Sequence, residues 1–178
     1  MQEILLLNPE NVSEGEAATY SIRNAARAVV TDADGLIGLL HVTNEGYFKL
    51  PGGGFEGSED VMSALARECR EELGCDVRVT GEIGIVTEYR KKFRLKQISH
   101  CFTAEVVGEK GSPAFDEGEL AHGFETKWLI MQDLRAVLGN ADSVSDESRY
   151  EAELYMLPRD RTIFEAAQEA NSTFHESD

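Results

Sequence analysis

The chain has 178 residues, 42% hydrophobic and 28% charged, a composition typical of one globular domain with an apolar core. No run approaches the roughly 18 consecutive apolar residues of a membrane span, and the acidic start MQEILLLNPE argues against a secretory signal. With 17 Lys and Arg against 33 Asp and Glu, the net charge is −16, which excludes nucleic-acid polymers as expected partners. A phosphate ligand would therefore need a metal ion or clustered basic side chains.

The three cysteines are an odd set, which argues against a disulfide framework. They are Cys69, Cys75 and Cys101. Free thiols indicate a reducing compartment. We therefore expect a soluble, cytoplasmic protein.

The first half of the chain predicts short strands followed by one helix. Apolar runs bounded by Asp, Asn and Gly turns predict strands at 25–31, 36–42 and 47–50. The apolar spacing then predicts a helix over 61–73, with Ser58 as its N-cap. Gly74 ends this helix.

The second half predicts a long hairpin, then a strand, then helices. Residues 77–90 and 93–107 pair around a basic tip, and an acidic loop over 108–123 precedes a strand at 127–130. The helices expected after it, with Pro158 separating the last two, cover residues 132–138, 147–156 and 160–170.

This order of elements predicts an α/β (α+β) fold, with a mixed β-sheet sandwiched between helices. We expect a single domain over residues 1–178, with its core at about 22–171 and a disordered tail at 172–178. The N-terminal segment 1–20 contains the apolar run Ile4-Leu5-Leu6-Leu7, which could extend the sheet or swap onto a partner. Monomer and homodimer therefore stay open.

Two faces of the predicted helix differ in chemistry. Four residues recur every four positions and form its buried stripe: Val61, Leu65, Cys69 and Leu73. Glu68, Glu71 and Glu72 share another face, where they repel unless solvent or a hard divalent cation compensates them. The preceding Leu50-Pro51-Gly52-Gly53-Gly54 lets the backbone approach a ligand, which favours the cation.

Residues 53–75, GGFEGSEDVMSALARECREELGC, resemble the Nudix box, G-x5-E-x7-R-E-U-x-E-E-x-G-U with U a bulky apolar residue. Every fixed position is matched, by Gly53, Glu59, Arg67, Glu68, Glu71, Glu72 and Gly74. Both U positions are cysteine, which behaves as a small hydrophobic residue. The chain is thus identified as a MutT-like member of the Nudix hydrolase family, and the Nudix fold is expected over about 22–171.

The resemblance implies Mg²⁺-dependent hydrolysis of a nucleoside diphosphate linked to another group, with Mn²⁺ as a substitute. The favoured substrate is a nucleoside triphosphate, including oxidised forms such as 8-oxo-dGTP, which yields the monophosphate and pyrophosphate. ADP-ribose and dinucleoside polyphosphates are alternative substrates. A non-catalytic nucleotide-sensing module is the alternative of another class, although such modules usually have a damaged box. An isomerase acting on isopentenyl diphosphate would need a Cys and Glu pair that neither Cys69 nor Cys101 obviously supplies.

The resemblance also assigns metal ligands. Glu68 and Glu72 are the principal ligands, and the carbonyl of Gly52 completes the coordination. Glu71 is a third ligand or acts in catalysis through a bound water, and Glu56 is a weaker candidate for an outer site.

Other box residues are structural by the same resemblance. Arg67 pairs with Glu59 or Glu71 and holds the loop on the helix, while Gly53 and Gly74 shape the turns at its two ends.

A general base is expected in the acidic segment Asp116-Glu117-Gly118-Glu119, because several relatives take theirs from a later loop. Glu119 is the first choice and Glu117 the second. The alternative for this segment is a solvated acidic turn.

Basic side chains could bind the substrate phosphates. Lys49, Arg27 and Arg90 are the candidates, with Arg23 as a further one. Arg90 begins a basic cluster that continues with Lys91, Lys92, Arg94 and Lys96, for which a solvated hairpin tip is the alternative. An aromatic side chain near the glycine turn could stack on a base, although core packing is more usual for Tyr47, Phe48 and Phe55.

Overall fold

A seven-stranded mixed sheet forms the centre of the computed structural model, which describes residues 1–175. Its strands are β1 (Glu3–Leu7), β2 (Ser21–Thr31), β3 (Ile37–Val42), β4 (Tyr47–Lys49), β5 (Asp76–Arg90), β6 (Leu95–Val107) and β7 (Phe124–Leu129). The α-helices are α1 (Glu14–Ala17), α2 (Val61–Glu68), α3 (Glu117–His122), α4 (Met131–Val137), α5 (Arg149–Glu151) and α6 (Leu157–His175). Two π-helical turns, at Cys69–Leu73 and Ala152–Met156, and a 3₁₀ turn at Lys91–Phe93 complete the secondary structure.

The sheet combines parallel and antiparallel pairs, as predicted. Its strand order is β1-β5-β6-β2-β3-β4, and β7 pairs with β3. Strands β5 and β6 form the predicted antiparallel hairpin, whereas β2 lies parallel to β6 along its whole length. The N-terminal strand β1 extends the sheet of its own chain by pairing in parallel with β5.

Strands β2 and β3 separate after a single register pair, Thr31↔Ile37, and the glycine turn fills the gap between them. The amide of Ala26 donates to the carbonyl of Gly53 at 3.0 Å, and the amide of Ala28 donates to the carbonyl of Pro51 at 3.2 Å. The turn is therefore held along the central strand by backbone hydrogen bonds, which positions the functional site at this gap.

Helices cover both faces of the sheet, which confirms the predicted sandwich. On one face, α2 and the following π-helical turn bury Leu65, Cys69 and Leu73 against small and aromatic residues of β2 and β6. On the other face, the buried residues of α4 and α6 include Leu134 and Ile163. Fully burying one such leucine side chain contributes about 1.5–3 kcal/mol, so these two layers fix where α2 and α6 lie.

The structure corrects the predicted start of the helix that begins with α2 and confirms its predicted end. The N-cap is Asp60 rather than Ser58, since the Asp60 carboxylate accepts from the amide of Ser63 at 2.8 Å. Gly74 ends the helical segment as predicted, in the left-handed conformation with a φ of 69°. The last turn before it is π-helical, which shifts Glu71 and Glu72 from ideal α-helical positions.

The prediction that Pro158 separates two helices is wrong. Helix α5, the π-helical turn and α6 follow one another without a break, and Pro158 is the second residue of α6. A π-helical turn changes the hydrogen-bond spacing just where proline removes a backbone donor, so the helix continues. The predicted tail at 172–178 overlaps α6 as far as His175, and residues 176–178 lie outside the described part.

The predicted loop over 108–123 contains helix α3, which begins with a capping box. The amide of Glu119 donates to Asp116, and the Glu119 carboxylate accepts from the amide of Asp116. Within residues 1–175, no helix is long and apolar enough to cross a membrane. All three cysteines are buried and unbridged.

Candidate active site

A cavity of about 470 Å³ lies at the gap between β2 and β3. Its wall includes the backbone of residues 52–54, the carboxylates that follow on α2 and the π-helical turn, and several basic side chains. The basic side chains come from five different elements and are Arg23, Arg27, Lys49, Arg67, Arg90 and Arg159. Acidic and basic groups from distant parts of the chain therefore share one site.

Glu72 is the most deeply buried carboxylate of the glutamate-rich helix, with 1% of its surface exposed. It accepts a hydrogen bond from the amide of Gly52 at 2.6 Å and lies 3.2 Å from the Lys49 ammonium. Burial raises its pKa from 4.5 to about 7, although the Lys49 charge opposes this change. A second cation at this position would offset the remaining cost of the buried charge.

Glu68 lies beside Glu72 and against the glycine turn. A Cβ added to Gly53 would stand 2.3 Å from the Glu68 Oε1 atom, so only glycine allows the carboxylate this position. Burial raises the pKa of Glu68, and the neighbouring charge of Arg67 partly reverses that change. The Glu68 carboxylate and the backbone of the glycine turn therefore lie close enough together to contact the same ligand.

Arg67 connects the glycine turn to the acidic face. Its guanidinium donates to Glu59 at 2.9 Å, to Glu71 at 2.9 Å and to the carbonyl of Gly54 at 2.9 Å. It also donates to Glu68 at 3.0 Å. Both predicted partners, Glu59 and Glu71, are therefore bonded at once, and the pKa of Arg67 is raised, chiefly by the hydrogen bond that it donates to Glu59.

The acidic face is held by cationic side chains. Arg67 bonds Glu68 and Glu71, and Lys49 bonds Glu72. Across residues 1–175, no three His, Cys, Asp or Glu side chains are grouped so as to hold a metal ion as placed. The outer candidate Glu56 lines the cavity too, with its side chain 74% exposed and 3.8 Å from Arg67.

Arg27 reaches the cavity from the central strand and is 6% exposed. Its guanidinium donates to the carbonyl of Gly52 at 3.0 Å and to the Ser99 hydroxyl at 3.4 Å. No carboxylate of residues 1–175 pairs with it, and burial together with the charge of Arg159 lowers its pKa to about 10. This candidate substrate residue thus holds the carbonyl of a predicted metal ligand.

Of the basic cluster on the hairpin, only Arg90 lines the cavity. It lies 2.9 Å from Glu88 and 3.2 Å from Glu151. The other members lie outside the cavity wall, and Lys92 and Arg94 rest near the rings of Tyr150 and Tyr20.

Glu119 lines the cavity from helix α3, whereas Glu117 does not. Among the aromatic candidates, Tyr47 and Phe55 line it, and Phe48 stacks on His41 outside it, with ring centroids 4.3 Å apart.

A group of buried polar residues at the α6 end of the cavity was missed by sequence reasoning. Its members are Glu88, Gln97, Arg159 and Asp160. Asp160 accepts from Arg159 at 2.6 Å and from the amide of Leu50 at 2.9 Å, so α6 is tied to the start of the glycine turn. One sequence signal could have pointed to these residues. Charged or polar residues occur at inward-facing positions of the strands and beside the apolar stripe of the helix, where apolar residues are usual.

Comparison with known proteins gives one family and a consistent fold. The family model for the NUDIX domain matches residues 21–148. A MutT protein from Methanosarcina mazei Go1 is 18% identical, with 86% of this chain and 97% of that chain covered and a TM-score of 0.56. No curated protein sequence matches the chain.

Two further solved structures share the fold at similar identity. A NUDIX hydrolase from Nitrosomonas europaea is 19% identical, covering 78% of this chain and 95% of that chain with a TM-score of 0.54. An ADP-ribose pyrophosphatase from Streptococcus suis 89-1591 is 17% identical, covering 82% and 91% with a TM-score of 0.51. At sequence identities of 17–19%, the similarity to these structures shows a shared fold and nothing more.

Proposed function

The chain belongs to the Nudix family of pyrophosphohydrolases, and we propose that it hydrolyses a nucleoside triphosphate to the monophosphate and pyrophosphate with Mg²⁺. One observation carries this proposal. The buried carboxylates Glu68 and Glu72 share a cavity with Arg27 and Lys49, so acidic groups suited to a cation stand beside basic groups suited to phosphate. A nucleotide that enters this cavity meets both.

The residues present fit a hard divalent cation. The proposed donors are all oxygen atoms, from Glu68, Glu71, Glu72 and the carbonyl of Gly52, which is the donor type that Mg²⁺ and Mn²⁺ prefer. Burial disfavours the charge of Glu72, and a cation there would compensate it. When bound, Mg²⁺ would neutralise the diphosphate and lower the pKa of the attacking water.

The chain's own residues position the substrate. We assign Lys49 and Arg27 to the phosphate oxygens, because both line the cavity beside the glycine turn. Arg90 lies farther along the same wall and is held by Glu88 and Glu151. Arg67 keeps Glu68 and Glu71 oriented through its hydrogen bonds and so acts as a positioning residue.

We assign Glu119 as the general base, which removes the proton of the attacking water. Glu119→Gln should lower kcat at least about tenfold, since general bases contribute roughly 10²–10⁴-fold. Glutamine can still complete the capping box with Asp116, so helix α3 should remain folded. Steady-state kinetics at saturating substrate measures the change.

Two companion variants make the result specific. Glu109→Gln, on an exposed residue outside the cavity, should keep wild-type kcat. If Glu117→Gln loses activity while Glu119→Gln keeps it, the base is the second choice, Glu117, and the assignment of Glu119 is wrong.

A substrate panel tests the proposed function as a whole. Purified protein with Mg²⁺ is offered nucleoside triphosphates, 8-oxo-dGTP, ADP-ribose and dinucleoside polyphosphates, and the products are separated. Release of monophosphate and pyrophosphate supports the proposal. Turnover of ADP-ribose alone would move the substrate to the class named for the Streptococcus suis neighbour, and no turnover would favour a nucleotide-sensing module.

The cytoplasmic location and the homodimer remain predictions. Light scattering of the purified chain measures the oligomeric state directly. Fractionation of cells that express the chain tests the location.

A further inference from the structure

Arg159 presents unmet hydrogen-bond donors to the α6 end of the cavity. Its side chain is 1% exposed, and Nε donates to Asp160 at 2.6 Å. Nη1 lies 3.7 Å from the Glu88 carboxylate, beyond hydrogen-bond range, and neither terminal nitrogen donates a hydrogen bond to any residue in 1–175. Arg159 lines the cavity, so these two nitrogens are available to acceptors on a ligand.

Gln97 adds one acceptor beside these donors. It is fully buried and lines the same cavity, and its Nε2 atom donates to the Glu88 carboxylate at 2.5 Å. Because a carboxylate can only accept, the amide nitrogen must face Glu88, and Oε1 is left without a donor within residues 1–175. Arg159 and Gln97 both approach the same Glu88 oxygen, so their free atoms lie close together.

A phosphate fits this arrangement poorly. The charge of Arg159 is already balanced by Asp160 and Glu88, and Arg90 is paired with Glu88 and Glu151. A phosphate would also leave the Gln97 oxygen without a donor. The arrangement instead suits a neutral group that accepts two hydrogen bonds and donates one.

We infer that the inner pocket, defined as Arg159 and Gln97 with the cavity-lining side chains Tyr47 and Met156, binds the base of a 6-oxopurine nucleotide. The guanidinium donates to O6 and N7, as arginine does to guanine elsewhere, and Gln97 Oε1 accepts from N1–H. Tyr47 and Met156 supply the apolar walls. The inference rests on the proposed function, since the phosphates then lie at the glycine turn.

Adenine cannot make the same contacts, because it carries an amino donor where guanine has O6. The test is kcat/KM for GTP, ITP, 7-deaza-GTP and ATP under one set of conditions. GTP and ITP should be used equally, whereas ATP and 7-deaza-GTP should be used about 5–150-fold less well, since a bidentate pair discriminates by about 1–3 kcal/mol. Equal use of GTP and ATP, or preference for a pyrimidine nucleotide, would overturn the inference.

A charge-conserving variant assigns the selectivity to Arg159. Arg159→Lys keeps a cation beside Asp160 and Glu88 but loses the planar pair of donors. It should reduce the preference for GTP over ATP to within about threefold. Arg161→Lys is the matched control, because Arg161 lies on the same helix outside the cavity and should keep the preference. Undiminished preference in folded Arg159→Lys contradicts the assignment.

A binding measurement separates this inference from the proposed function. Titration calorimetry of GDP and ADP in EDTA needs neither metal nor turnover, and GDP should bind more tightly. If no anhydride is hydrolysed in the substrate panel, this experiment decides alone: tighter GDP binding supports the pocket, and equal affinities or no GDP binding overturn it. Turnover without base selectivity would retain the hydrolase and reject the pocket.

Discussion

Glu72→Gln should lower kcat/KM at least about 100-fold, because it removes the buried negative charge that would balance the cation in the active site. The carboxylate is 1% exposed and is bonded by the amide of Gly52 and the Lys49 ammonium. Glutamine keeps the size and can still accept from Gly52, but it cannot balance a cation. Initial rates over a range of Mg²⁺ concentrations measure the loss.

Stability provides the control for this variant. Burial raises the pKa of Glu72 to about 7 in the folded chain, whereas its ordinary value is 4.5. As pH rises above 4.5, the carboxyl group ionises more readily in the unfolded chain, so the folded chain loses stability. In EDTA, wild type should therefore lose stability from pH 5 to pH 8 relative to Glu72→Gln. An inactive variant that unfolds more easily at both pH values would indicate misfolding instead of a lost charge.

Arg159→Met should destabilise the fold by about 3–5 kcal/mol, because it leaves the Asp160 carboxylate buried without its cation and removes one of the two cations beside Glu88, which keeps Arg90. Both carboxylates are completely buried, and Asp160 also accepts from the amide of Leu50 at the start of the glycine turn. Urea unfolding at 25 °C followed by circular dichroism measures the change. The midpoint should fall markedly.

The matched control is Arg161→Met, two residues farther along α6. Arg161 is exposed, and its one ion pair within residues 1–175 is with Glu165 at 2.9 Å, so its loss should change stability by at most about 0.5 kcal/mol. Similar midpoints for the two variants would show that the buried ion pairs contribute nothing to the fold.

The local part of the site could be predicted from the sequence. Residues 52–74 are contiguous, and helical periodicity places Glu68 and Glu72 on one face beside the glycine turn. The resemblance to the Nudix box offered Glu59 or Glu71 as the partner of Arg67, and the structure has both bonded to it. The strand pattern and the sheet between helices followed from apolar alternation and turn residues.

The inner pocket could not be predicted in this way. Gln97 lies on β6 and Arg159 on α6, and no spacing rule joins two elements so far apart in the chain. Pro158, a strong local breaker, suggested a helix boundary beside Arg159, whereas the preceding π-helical turn lets the helix continue. Tertiary packing decided both features.

The parallel pairing of β2 with β6 has a consequence for biosynthesis. Arg27 and Ser99, which bond across it, are 72 residues apart. At about 5–20 residues per second, the ribosome needs roughly 4–14 s to add the partner strand. During that interval the apolar end of β2 lacks its neighbour, so we expect the nascent chain to depend on chaperones or on fast synthesis to avoid aggregation.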